Sequence, residues 1–335
     1  MSTRNRVTAT LGVAALGLLA ACGGGGGGTD GTPRFVAIAT GGTGGAYYPI
    51  GGAMGAMLAR EIPEIESATA ETTGGSVENL QRVGGGDAEI GFAQNDGVFN
   101  AINGEGAFDS PQPVCTIGMV YLNVLQVVTT ADRGISTFQD LPGRRVSVGD
   151  AGSATELFMR QVVEYLGMSY DDFAEVQRLP FADQTTAIRN NQLDVGSWVV
   201  APGVSSIQDL ASSDQIVILT MSDEELSGLT EQYPYYVATE LEPGTYQGVD
   251  EAVPVAATWN SLLMNAEADE EFVYQVTKAV HENVEDLAGG HPSGGDLAPE
   301  NIADALAPLH PGAIRYFDEI GQEYPQDLGE CGAQA

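Results

Sequence analysis

The sequence predicts an α/β protein of two lobes with ligand loops at its strand ends. Three observations carry that expectation. Strand and helix signals alternate in two successive series, glycine-rich or hydroxyl-bearing turns follow the strands of both, and those turns suit a small anion. The chain has 335 residues, more than the roughly 100–200 of one ordinary domain and enough for two lobes with a core each.

The first 22 residues stand apart from the fold. Arg4 and Arg6 precede an apolar run, 7–21, that is too short for a comfortable transmembrane helix. Leu19-Ala20-Ala21-Cys22 resembles the lipobox of bacterial lipoproteins, which implies lipidation at Cys22 and a membrane anchor there. The alternative is an ordinary secretory signal with a chance cysteine. Residues 23–34, opening with the glycine run 23–28, read as a flexible tether. Both signal readings place the working protein outside the cytoplasm, as a membrane-anchored lipoprotein in the first case. In that oxidising setting Cys115 and Cys331 remain as an even pair, too few for a metal site and without a histidine at ligand spacing. A disulfide tying the C-terminal tail to the body is expected.

Aspartate and glutamate number 46 against 13 lysines and arginines, a formal charge of −33. Nucleic acid and anionic lipid surfaces are therefore poor partners. The acidic residues are interleaved with apolar ones, as on a folded acidic surface. Lys278 is the only lysine, a balance that suggests adaptation to high salt or high external pH.

In the first series, Phe35–Ala39 is a strand and 48–60 a helix, 66–71 a strand and 75–83 a helix capped by Ser76, and 89–93 a strand followed by a helix over 96–102. This rhythm predicts a mostly parallel sheet covered on both faces, with ligand turns at 41–47, 73–76 and 94–96 beyond the strand ends. The first turn, Gly41-Gly42-Thr43-Gly44-Gly45-Ala46-Tyr47, lets backbone N–H groups converge ahead of a helix, which suits a carboxylate or phosphate. No Gly-Lys-Ser/Thr follows it, and Tyr47 stands where the dinucleotide fingerprint requires a small residue. A merely flexible loop is the alternative.

The second series starts after 116–122. Residues 145–149 form a strand, 150–153 a turn, and 154–166 a helix with a capping box from Ser153 to Glu156. A helix over 185–190, a strand over 194–199 and a strand over 216–219 follow, then a capping box from Ser222 to Glu225. Val253–Asn265 reads as extended, and 269–287 as one amphipathic helix.

The glycine turn with Tyr48-Pro49, then Thr73-Gly74-Gly75-Ser76-Val77-Glu78-Asn79-Leu80, then Asp87-Ala88-Glu89-Ile90-Gly91-Phe92-Ala93-Gln94-Asn95-Asp96, resemble the TAXI family of solute receptors. The segments 141–149 and 181–184 match in the same order, so the resemblance runs from about residue 35 to at least 265. It implies a type II periplasmic-binding-protein-like fold closing over a small organic acid, with glutamate, 2-oxoglutarate or a related dicarboxylate as ligand. The membrane subunits of a tripartite ATP-independent periplasmic (TRAP) transporter are the implied partners. The strand crossings are expected near 116–122 and 215–221, giving lobe one 35–118 plus 219–335 and lobe two 119–218.

Within this frame Thr43, Gly44 and Gly45 are expected to hold one carboxylate with Tyr47 closing over it. Ser76 adds a hydroxyl or only caps its helix. Gln94 can bond a carbonyl or hydroxyl, and Asp96 can accept from an ammonium or cap its own helix. From lobe two, Ser153 and Thr155 suit a second carboxylate, although Ala154 stands where the family usually has glycine. Asp183 and Gln184 match a ligand-side turn, with capping open for Asp183. Trp198 is either an apolar wall or core. No cofactor, metal site or catalytic residue is expected: no histidine pair has zinc-motif spacing and no Gly-x-Ser-x-Gly elbow occurs. An enzyme is the rival class, and a receptor for an ABC transporter or sensor kinase is the alternative within the binding class.

Overall fold

The computed structural model describes residues 31–332. The signal segment 1–22, the lipidation site at Cys22 and the tether's glycine run lie outside the described residues.

The first series forms β1 (Phe35–Ala39), α1 (Tyr47–Glu61), β2 (Ser67–Glu71), α2 (Ser76–Gly85), β3 (Ile90–Gln94) and α3 (Asn95–Asn103). Strand β1 pairs in parallel with both β2 and β3, so the expected parallel sheet is present. The long strand β4 (Val114–Thr130) follows, then β5 (Arg145–Ser147), α4 (Ala154–Tyr165), β6 (Glu175–Gln177), α5 (Phe181–Arg189), β7 (Val195–Val200), α6 (Ser205–Ser213), β8 (Ile216–Ile218), α7 (Asp223–Gln232) and β9 (Val237–Leu241). A second long strand, β10 (Val253–Asn265), precedes α8 (Glu270–Glu282), α9 (Val284–Gly290) and α10 (Pro311–Ile320).

Strands β4 and β10 join the lobes. Both run antiparallel to each other from Val114–Asn265 to Val124–Ala257. The first half of β4 and the second half of β10 belong with β3 in lobe one. Beyond Val124, β4 pairs with β7 and β8, while β10 before Ala257 pairs with β9. The second crossing is therefore β10, not the expected 215–221. Segment 216–218 is a short edge strand inside lobe two, and lobe two extends from the middle of β4 to the middle of β10. The apolar pattern of 216–219 resembles a crossing strand because both are buried on two faces; only pairing separates them.

The expected single helix over 269–287 is two. Asn283 has φ −123° and ψ 39°, and its Nδ2 donates to the Ala279 carbonyl at 2.9 Å. A side-chain amide competing for a helical carbonyl ends α8 there. The Ser222–Glu225 capping box forms in both directions. The Ser153–Glu156 one forms in a single direction: Ser153 accepts from Glu156 N, while the Glu156 carboxylate pairs with Arg160 and Arg178. Residue 76 is not a cap either, because Gly75 occupies the N-cap of α2.

Lobe one packs Ile38, Met54, Leu58 and Phe92 against Phe272, Val276 and Val280 of α8 and Phe317 of α10. Each such buried side chain contributes roughly 1.5–3 kcal/mol. Helix α1 lies so close to β2 that a Cβ on Gly55 would stand 2.6 Å from the Ala68 carbonyl oxygen. Cys115 of β4 and Cys331 are joined by a disulfide with Cα atoms 5.8 Å apart, closing a separation of 216 residues. Such a cross-link typically contributes about 2–4 kcal/mol by restricting the unfolded chain.

His281 of α8 is buried between Tyr316 and Phe317, and neither ring nitrogen has a hydrogen-bond partner among the described residues. Burial lowers its pKa to about 4, with the Ile117 backbone pulling weakly the other way. A folded pKa below the unfolded value near 6.5 means the stabilisation is present above pH 6.5 and is lost as pH falls towards 4. Relative to a His281→Leu variant, the protein should lose about 2–3 kcal/mol of stability between pH 7.5 and 4.5. Parallel urea titrations of the two proteins check this, and identical pH profiles would refute it.

Candidate functional site

A cavity of about 420 Å³ lies between the lobes, where the turns after β1, β2 and β3 face those before α4 and α5. Four helix N-termini reach it: α1 at Ala46 and Tyr47, α2 at Gly75 and Ser76, α4 at Ser153 to Thr155, and α5 at Pro180 to Ala182. The caps of α1, α2 and α5 carry no side-chain hydrogen bond. Their first N–H groups thus keep donor capacity, each helix end acting as roughly half a positive charge.

One side chain holds the three lobe-one turns together. Asn79, buried on α2, donates through Nδ2 to the Thr40 carbonyl at 2.6 Å and to the Phe92 carbonyl at 2.8 Å. Its Oδ1 accepts from the Thr73 hydroxyl at 2.6 Å. The ends of β1 and β3 and the turn before α2 are thereby set relative to one another.

The floor comes from both crossing strands. Tyr121 and Asn123 of β4 line it, and Asn260 of β10 stands behind. Asn260 Nδ2 donates to the Tyr121 carbonyl at 2.7 Å, and its Oδ1 accepts from Asn123 Nδ2 at 2.9 Å and from the Tyr47 hydroxyl. The Tyr47 ring stacks on Phe92 with centroids 5.1 Å apart. Burial pushes the Tyr47 phenol far above its ordinary pKa, so it is a neutral donor. Tyr47 is therefore a pinned part of the floor and not the expected lid.

The lobes touch around the cavity rim. Ser206 Oγ donates to the Gly44 carbonyl at 3.4 Å, and Gln94 Nε2 donates to the Val199 carbonyl at 3.3 Å. A Cβ on Gly74 would stand 2.6 Å from the Ala151 carbonyl oxygen, and one on Gly45 would stand 3.5 Å from the Phe181 ring. The glycines of the first turn have ordinary negative φ values, and of these Gly44 and Gly45 lie against Ala182 and Phe181 of lobe two.

Of the residues expected from sequence, Thr43, Gly44, Gly45, Tyr47, Ser76, Gln94, Ser153, Thr155 and Asp183 line the cavity. The Gly45 amide is already used, donating to the Gly42 carbonyl at 3.1 Å in a tight turn. Ser76 Oγ accepts from Gln94 N at 3.1 Å and so links two turns. Asp96, Gln184 and Trp198 lie outside the lining.

Each of these three serves the interior instead. The Asp96 carboxyl takes the Gly97 N–H at 2.7 Å and lies 3.1 Å from the Tyr236 hydroxyl, which also reaches Gln161; burial raises its pKa to about 7. Gln184 ties α5 to β7 through Ser197 N and Ser197 O. Trp198 is wholly buried in the lobe-two core, behind Phe181.

The match to a family model, described as the NMT1-like family, spans residues 38–321. The chain belongs to the NMT1-like family. Among solved structures, a protein from Bordetella bronchiseptica aligns over 86% of this chain and 98% of its own, at 16% identity and a TM-score of 0.53. The alkanesulfonate-binding protein SsuA from Xanthomonas axonopodis pv. citri, bound to MOPS, aligns over 86% and 84%, at 14% identity and a TM-score of 0.48. A putative L-cystine ABC transporter protein from Listeria monocytogenes aligns over 79% and 98%, at 13% identity and a TM-score of 0.47. At such identities the likeness is one of fold, and the fold is periplasmic-binding-protein-like.

In this NMT1-like chain the cavity lining contains no lysine, arginine or histidine among the described residues; its charged members there are Asp150 and Asp183. Burial raises the Asp150 carboxyl pKa, and the nearby Asp183 and Glu78 push the same way. His281, His291 and His310 all sit in the C-terminal region; His291 and His310 accept from the Ser293 and Gly312 N–H groups at local caps. No three His, Cys, Asp or Glu side chains gather as a metal site among the described residues.

Sequence reasoning missed Tyr121, Asn123, Asn260 and Asn79. Two of them had a usable signal, since Asn123 and Asn260 interrupt strongly apolar runs and a polar residue inside a buried strand must find partners.

Proposed function

We propose that the protein is an extracytoplasmic solute-binding protein that captures a small carboxylate-bearing solute between its lobes and presents it to a membrane transporter. The observation that supports this most directly is the interlobe cavity with four helix N-termini around it and, among the described residues, no basic side chain in its lining. Backbone donors at helix ends hold an anion without a counter-charge, and contact of both lobes with one ligand favours the closed form. The same lining offers no nucleophile–base pair and no metal cluster, which favours binding over catalysis. Membrane anchoring through lipid at Cys22 belongs to this proposal.

Two partners fit it. The ordered motifs resemble TAXI receptors, implying TRAP membrane subunits and a dicarboxylate. The alternative is an ABC transporter or a sensor system, and the comparisons lean that way: a similar structure is described as an ABC transporter protein and none of those reported above as a TRAP receptor. That lean rests on shared fold.

A thermal-shift screen of organic acids, amino acids, sugars and metal salts tests the reading. A saturating true ligand at about 100 times its Kd should add about 2.7 kcal/mol of apparent stability. Stabilisation by sugars or metals, with none by any organic acid or amino acid, would sink it.

A further inference from the structure

A buried chain of polar groups crosses from lobe one to lobe two outside the cavity lining. Asp96 of α3 is wholly buried, and its two carboxyl oxygens have different partners. Oδ1 accepts from the Gly97 N–H of its own helix at 2.7 Å. Oδ2 lies 3.1 Å from the hydroxyl of Tyr236, which belongs to lobe two. There the chain continues: Tyr236 reaches Gln161 Oε1, and Gln161 Nε2 donates to the Tyr235 hydroxyl at 2.8 Å. The same seam stacks Phe99 of α3 near Tyr235, with ring centroids 5.3 Å apart. A Cβ on Gly97 would stand 3.8 Å from the Ala154 methyl of α4.

A phenol has one proton to give. With Gln161 turned as described, Tyr236 gives it to Gln161 Oε1, and the contact with Asp96 is a hydrogen bond only if the carboxyl is protonated and donates. An ionised Asp96 requires the Gln161 amide reversed, so that Nε2 donates to Tyr236 and the phenol proton turns to the carboxylate. Both forms complete the chain, but the second buries a negative charge. The ionisable groups coupled to that charge are the phenols of Tyr47, Tyr235 and Tyr236. Of the elements packed on α3, β3 and β10 carry no ionisable side chain. Helix α2 brings Arg82, paired with Glu71 and Glu78, and α4 brings Glu164 and Glu156, the latter paired with Arg160 and Arg178. Glu105 beyond α3 and Asp304, whose carbonyl accepts from Asn95, are acidic. No cation among the described residues is paired with Asp96, and burial raises its pKa to about 7.

We propose that closure of the lobes is proton-linked: joining them seals Asp96 against Tyr236 in its neutral form, and its ionisation at higher pH drives them apart and weakens ligand binding. This goes beyond the carboxylate reading and rests only on its closing of the lobes. Parting the lobes takes from Oδ2 its Tyr236 partner and admits water, returning the carboxyl towards its ordinary value near 3.9. The joined arrangement thus holds a proton that the parted one releases. Its advantage is full below about pH 4 and is lost as pH rises through about 7. The ratio of joined to parted protein should fall about 90-fold between pH 5 and 8. Asp96 and Tyr236 are positioning residues, since neither lines the cavity.

Carbon-13 NMR of the ligand-free protein, labelled at aspartate carboxyls and assigned with Asp96→Asn, tests this. The Asp96 midpoint should lie near pH 7 in the parent. Gly74→Leu, whose side chain meets the Ala151 carbonyl across the lobes, should lower it by at least about one pH unit. Tyr236→Phe keeps the ring stack on Phe158 but removes a hydrogen bond that favours the ionised carboxyl, so it should raise the midpoint. A midpoint in the ordinary carboxyl range in the parent, or the same midpoint in the parent and Gly74→Leu, would overturn the proposal. A midpoint unmoved by Tyr236→Phe would overturn the phenol bridge. All three outcomes leave the carboxylate reading intact, because the thermal-shift screen tests that separately.

Discussion

Replacing Gly74 with alanine should weaken ligand binding by about 10- to 100-fold while leaving the melting temperature of the unliganded protein within about 2 °C of the parent. The added methyl would stand 2.6 Å from the Ala151 carbonyl oxygen, across the gap between lobes. Backbone cannot yield as a flexible side-chain tip can, and overpacking of this kind typically costs 1–3 kcal/mol, or about 10- to 100-fold in affinity. The cost falls on the arrangement in which the lobes meet, the one that a ligand touching both lobes favours. Gly74 has an ordinary negative φ, and its N–H donates to Glu78 Oε2 at 2.8 Å, a bond that alanine keeps.

Gly75 supplies the contrast. Its φ of 116° lies where only glycine is comfortable. Gly75→Ala should therefore destabilise the unliganded protein itself by about 1–2 kcal/mol. Titration calorimetry and thermal melts on the two variants separate the effects. A Gly74→Ala protein that binds as tightly as the parent would show that the lobes do not need this approach to hold ligand.

These two neighbours show what could be read from the sequence and what could not. The strand–turn–helix rhythm placed Gly74 and Gly75 beyond β2 on the ligand side, because period and turn chemistry are local properties. Nothing local distinguishes a glycine that needs positive φ from one that needs an absent Cβ; that depends on a chain segment some 75 residues away. The same limit explains the second crossing. Residues 216–218 and β10 are both apolar and extended, and only the pairing of β10 with β3 on one half and β9 on the other reveals which joins the lobes. It explains the site as well. Residues at turn positions, such as Thr43, Ser76 and Ser153, line the cavity, whereas Gln184 and Trp198 alternate into the interior, and one-residue differences in facing decide which.

Asn79→Ala is the substitution expected to cost most stability. The side chain is 1% exposed and makes three hydrogen bonds of 2.6 to 2.8 Å to three separate segments. Alanine would leave the Thr40 and Phe92 carbonyls and the Thr73 hydroxyl without that partner, at about 1–3 kcal/mol for each buried group that water cannot reach. Because Thr73 keeps its bond from Gly75 N and the carbonyls can relax, a total of about 3 kcal/mol is expected. At roughly 2–4 °C per kcal/mol, the melting temperature should drop by about 6–12 °C. Ligand affinity should fall with it, since the same three bonds hold the Gly41–Tyr47 turn, the Thr73–Ser76 turn and Gln94 in register around one cavity. Asn79→Asp discriminates between loss of volume and loss of donors: it keeps the size, removes both carbonyl contacts and buries a charge, so it should be at least as damaging. Denaturant unfolding and calorimetry on both variants make the comparison. An Asn79→Asp protein as stable as the parent would show that the Thr40 and Phe92 bonds do not hold the turns, and the register of the cavity would then have to come from strand pairing alone.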